Sequence, residues 1–82
     1  MSTNREPVTP ADNAPAGALD VWLRIPDDAD ESEAEANVFP EDHRFRVEWY
    51  LTAVGLVKWR HYDTYADAAA WLESEGFQDF SA

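Results

Sequence analysis

The stretch RFRVEWYLTAVGLVKWRHY, residues 44–62, alternates apolar and polar side chains in two runs separated by a glycine-containing break. In the first run Phe45, Val47, Trp49 and Leu51 share one face of a strand, with Arg44, Arg46, Glu48, Tyr50 and Thr52 on the other. The aromatic and β-branched content suits a pleated, half-buried surface. Ala53, Val54 and Gly55 read as a short turn, with Gly55 free to take a positive φ. The second run, Leu56 to Tyr62, is expected to place Val57, Trp59 and His61 inward and Leu56, Lys58, Arg60 and Tyr62 outward. A one-residue slip would reverse every one of those assignments.

Downstream, Thr64 and Asp67 are spaced as a helix N-cap and its third-residue partner, and Tyr65, Ala68, Ala69 and Leu72 recur at helical intervals, with Trp71 flanking. Gly76 stands where a helix usually ends, and Phe77 and Phe80 follow as candidates to close a core. Upstream, Leu19, Val21, Leu23 and Ile25 alternate with Asp20, Trp22 and Arg24, which predicts another strand that Pro26 terminates. The sum is an α+β domain spanning residues 19–82: a three-stranded, mainly antiparallel sheet with one C-terminal helix packed on one face, in the order β-β-β-α. Under that helix are expected Leu19, Val21, Leu23, Val47, Trp49 and Trp59. Residues 1–18, with Pro7, Pro10 and Pro15 and few apolar side chains, read as a disordered tail.

Charge is segregated along the chain. The formal net charge is −11, and residues 27–42 hold eight carboxylates with no Lys or Arg. This segment, with Asp27, Asp28, Asp30, Glu31, Glu33 and Glu35 at its centre, reads as a mobile acidic loop. The cations gather elsewhere: Arg24, Arg44, Arg46, Lys58 and Arg60 are five of the six Lys and Arg residues. An Arg-rich, Ala-rich chain with a single lysine has the composition of a high-GC genome, and surplus carboxylates keep a protein dispersed in high salt. The chain has no Cys, so a disulfide or thiolate metal site is excluded, and a core this small needs good packing or a dimer to be stable. No apolar run approaches a membrane span and no signal-peptide pattern opens the chain, so a soluble, cytoplasmic protein is expected, with no membrane partner.

The expected outer face of the sheet collects Trp22, Arg24, Arg44, Arg46, Tyr50, Lys58, Arg60 and Tyr62. Aromatic and Arg-rich surfaces are typical of protein contacts, so a protein partner or a homodimer is the first expectation. Cations among rings also suit single-stranded or RNA ligands, which makes nucleic acid the second. The β-β-β-α order, with the step from Lys58-Trp59-Arg60 through Asp63-Thr64 into Ala68-Ala69-Ala70-Trp71-Leu72, resembles the arm-type DNA-binding domains of phage integrases over the C-terminal half of the chain. That resemblance implies DNA as ligand, yet such domains are expected to be basic and this chain is acidic, so long-range steering opposes it. A third expectation is that the acidic segment imitates the phosphates of a nucleic acid.

Site chemistry is otherwise sparse. Asp27 to Glu35 contains no Gly and fails the spacing of a calcium loop. His43 and His61, even with Asp42 and Asp63, lack an assured third ligand, so no metal is expected. No serine stands at a strained elbow, no Gly-rich phosphate loop exists, and Glu48 beside His61 has no pocket around it. The expectation is a small regulatory or adaptor domain that is not an enzyme, needs no cofactor and takes no small-molecule substrate.

Overall fold

A computed structural model describes residues 10–25, 33–51 and 55–82. It is an α+β protein in which one helix packs on one face of an antiparallel sheet. The strands are β1 (Trp22–Arg24), β2 (Ala34–Pro40), β3 (Phe45–Leu51), β4 (Leu56–Tyr62) and β5 (Gln78–Asp79), and α1 (Tyr65–Ser74) lies between β4 and β5 in sequence. The sheet therefore has five strands in the order β4-β3-β2-β1-β5 rather than three.

The largest correction is β2. It occupies part of the acidic stretch expected to be a loop and is the central strand of the sheet, paired with β1 on one side and β3 on the other. Ala34, Ala36 and Val38 are buried beneath the helix, alternating with Glu35, Asn37 and Phe39 on the opposite face. The period-two pattern is present in the sequence but is carried by two alanines, whose small burial contributes little signal beside the neighbouring charges. Small side chains are useful here: they let Ala68 and Ala69 of α1 approach the sheet closely, and all four alanines belong to the core.

The phase of β4 is also reversed, and the cause is one residue of turn. Leu51 pairs with Leu56, Val47 with Arg60 and Phe45 with Tyr62. A connection of four residues, 52–55, thus joins strands that a three-residue turn was expected to join, and directly opposed residues share a face. Since Phe45, Val47 and Trp49 face the helix, so do Tyr62, Arg60 and Lys58, while Val57, Trp59 and His61 face away. In β3 the expected phase holds.

In β1 the phase reverses for a different reason. Trp22 is fully buried (0% exposed) and faces the helix, opposite Ala36, whereas Leu23 pairs with Glu35 on the other face. Both faces of this strand are covered, so alternation alone does not mark the core side, and the larger apolar area of the indole decides it. The cover comes from the chain ends. Ala11 donates to the Leu19 carbonyl, the Ala82 amide donates to Asn13 Oδ1, and Val21 donates to Ser81 Oγ at 3.1 Å. A Cβ on Gly17 would stand 3.7 Å from the Phe39 ring. Residues 10–18, expected in the disordered tail, are packed and hydrogen-bonded in this way, and Ala18 is buried; residues 1–9 lie outside the described residues.

The helix follows its sequence signals. Thr64 caps it, accepting the Asp67 amide at 3.1 Å, and Gly76 takes φ +89° after its end. Tyr65, Ala68, Ala69 and Leu72 are its buried stripe. Phe77 is buried in the core, but Phe80 is 43% exposed and does not join it. Among the described residues no helix is long and apolar enough to cross a membrane.

Candidate functional site

The eight residues expected to form one binding face are divided by the fold. Trp22 is in the core. Arg24 shares its face, stretching over the Phe77 ring at 5.0 Å and donating to the Glu75 carbonyl at the helix end. Arg44 lies in the turn between β2 and β3. Lys58, Arg60 and Tyr62 point to the helix side at the outer strand. Only Arg46 and Tyr50 remain on the face opposite α1.

On that open face the charges are largely neutralised in place. Glu41 accepts from Arg46 and, at 3.3 Å, from Arg44, and its Oε1 lies 3.3 Å from His61 Nε2. Arg46 also donates to Glu48 at 2.8 Å and lies 4.8 Å above the Phe39 ring. Desolvation works against the charge on Glu41, but the hydrogen bonds from Arg46 and Arg44 outweigh it and hold the carboxyl below the ordinary range. By the same balance Arg46 is held firmly protonated by Glu41 and Glu48 against its own desolvation. Tyr50 donates to Glu35 at 2.8 Å, which together with burial pushes its phenol above the usual value. Exposed by roughly a third, these pairs stabilise little and fix side-chain positions more than they add energy.

What the open face does present is apolar. Trp59 is 62% exposed and Val57, two residues before it on the same face, is 50% exposed. Both were expected inside, so sequence reading missed them as surface residues; the length of the preceding turn is the signal that would have found them. On the helix side of the same strand, the Arg60 guanidinium stacks 5.2 Å from the Trp71 ring and 5.8 Å from Tyr62. Trp71 in turn packs on Trp49 at 4.8 Å between centroids. A shallow open depression is lined by Trp49, Val57, Lys58, Trp59 and Arg60, residues of both sheet faces. The candidate site is therefore the outer strand itself, apolar on one face and cationic on the other.

Of the acidic residues, Glu35 sits in β2 holding Tyr50 and Glu33 precedes that strand, while Asp27, Asp28, Asp30 and Glu31 lie outside the described residues. Among the described residues no group of three His, Cys, Asp or Glu is placed to hold a metal ion. The most unusual polar group is Asp20, buried in the core, where it accepts from the Val38 amide at 2.9 Å and from the Tyr65 hydroxyl. Burial pushes this carboxyl up, against the lowering effect of hydrogen bonds from Tyr65, Trp22 and Val38. With both oxygens engaged and no opening to solvent, Asp20 ties β1, β2 and α1 together and is a structural group. Against this geometry, comparison with protein-family models, curated proteins and solved structures finds no match.

Proposed function

We propose that this chain is a small, non-enzymatic binding module that contacts a protein partner through the β4 side of the open sheet face, as an adaptor or regulatory domain. The observation that carries the reading is Trp59. A tryptophan more than half exposed, beside a half-exposed valine and covered by no element among the described residues, is an apolar patch of the kind that marks protein contacts. Nucleic acid is less well served, because stacking needs rings set among free cations. Here Trp22 is buried, Tyr62 lies against Trp71, and Arg46 is held by two carboxylates.

The test is site-specific photocrosslinking in cells that make the chain. A benzophenone side chain in place of Trp59 is compared with the same group in place of Ala70, which is exposed on the far side of α1. A discrete polypeptide adduct from position 59 and none from position 70 is the expected result. An adduct at twice the chain's own mass makes the partner a second copy, an adduct with nucleic acid replaces the reading, and equal or absent labelling at both positions rejects it.

A further inference from the structure

β4 is the long free edge of the sheet. Its neighbour on one side is β3 and nothing among the described residues pairs with the other, so alternate N–H and C=O groups of its seven residues point outward. The opposite edge is β5, of only two residues. An added strand at β4 would meet two different surfaces: Val57 and Trp59 beside its side chains on the open face, Lys58 and Arg60 beside those on the helix face. The depression lined by Trp49, Val57, Lys58, Trp59 and Arg60 lies along this same edge.

The charges on β4 select what can pair there. In a twofold, antiparallel pairing of two β4 edges that keeps the two faces continuous, three registers pair most of the strand. Centred on Trp59, Lys58 stands opposite the second copy's Arg60; centred on Lys58 or on Arg60, each meets itself. Each of these registers opposes like charges, which destabilises a pair. Cationic edge residues commonly guard a sheet against self-pairing. The same guard favours a strand that brings carboxylates to those two positions.

We infer that β4 captures an extended acidic segment of a protein partner by strand addition, with the segment's apolar side chains beside Val57 and Trp59 and its carboxylates beside Lys58 and Arg60. This rests on the protein-contact reading and adds to it the partner's conformation and sign of charge.

The test titrates the full ¹⁵N-labelled chain with three capped seven-residue peptides: one alternating Glu and Val, one alternating Lys and Val, and a form of the first N-methylated at every residue. The Glu peptide is expected to shift the amides of Val57 to Tyr62 and slow their hydrogen exchange. The Lys peptide should bind about tenfold more weakly or worse, as two cross-strand pairs change sign. Lys58→Glu with Arg60→Glu should invert the preference; Lys58→Glu alone, at an exposed position, gives the same direction if loss of the Arg60 stack weakens the fold. Equal binding of the Glu and Lys peptides, absence of shifts, or shifts centred away from β4 overturn the inference. Undiminished binding of the N-methylated form overturns strand addition while leaving a contact on the face intact. Failure of the crosslink at position 59 instead removes the underlying reading whatever the peptides do.

Discussion

Two tryptophans, Trp22 flanked by Val21 and Leu23 and Trp59 flanked by Lys58 and Arg60, have fates opposite to those expected of them, and substitution should separate them. Trp22→Ala empties the largest fully buried side chain and is expected to cost about 3 to 5 kcal/mol, whereas Trp59→Ala should change stability by less than about 0.5 kcal/mol; urea denaturation of each variant measures both. A large loss from Trp59→Ala would return that residue to the core. Asp20 gives a second prediction at this scale. Its folded-state carboxyl is raised above the ordinary value, so the penalty for burying its charge is absent below the unfolded-state value and grows as pH rises through the folded-state one. Its contribution to stability therefore falls with rising pH. Asp20→Asn cannot titrate, so the stability difference in favour of the natural chain should widen as pH is lowered from neutrality toward the ordinary carboxylate range. A difference that stays constant across that range would mean Asp20 is ionised in the fold throughout.

At the scale of elements, the capped helix and β3 were legible because each carries its own local evidence: a cap, a buried stripe, an alternation with large side chains. Thr64→Ala should accordingly cost about 1 kcal/mol, read as a fall in the denaturation midpoint, because the Asp67 amide loses its acceptor. What could not be read was set by partners distant in sequence. The face of β4 depends on the number of residues in a turn, the face of β1 on cover supplied by both chain ends, and the existence of β2 on alanines that matter only because Ala68 and Ala69 lie over them. The binding face suffered most, since a set of residues drawn from three strands is correct only if every phase is correct. Only Arg46 and Tyr50, on the strand that was read correctly, stayed where they were expected. The central position of β2 has a sharp consequence. Val38→Asp would place a charge in the core and should cost about 4 kcal/mol or more, enough to unfold much of the population by circular dichroism; in an acidic loop the same change would be nearly silent.

For the whole molecule the governing quantity is the excess of seventeen acidic over six basic residues. Two effects of salt compete. Screening weakens the Arg46 pairs with Glu41 and Glu48, but those are partly exposed and each contributes at most about 1 kcal/mol. Screening also weakens the mutual repulsion of the unbalanced carboxylates, which acts between many pairs and over distances of the order of the whole fold when the Debye length is long, about 30 Å at 0.01 M salt. The second effect involves more charges and should win, so the melting temperature is expected to rise with sodium chloride, most steeply at low concentration. A gain of about 1 kcal/mol would appear as roughly 4 to 8 °C in a domain of this size. Glu41→Gln sharpens the comparison, because it removes one acceptor from Arg44 and Arg46 while also removing one negative charge. If repulsion dominates, the variant's deficit relative to the natural chain should shrink at low salt, where deleting a negative charge helps most, and grow as salt is added. A melting temperature that falls with salt would instead make the local network around Glu41 the stronger effect, and the acid excess would then be too dispersed to matter to the fold.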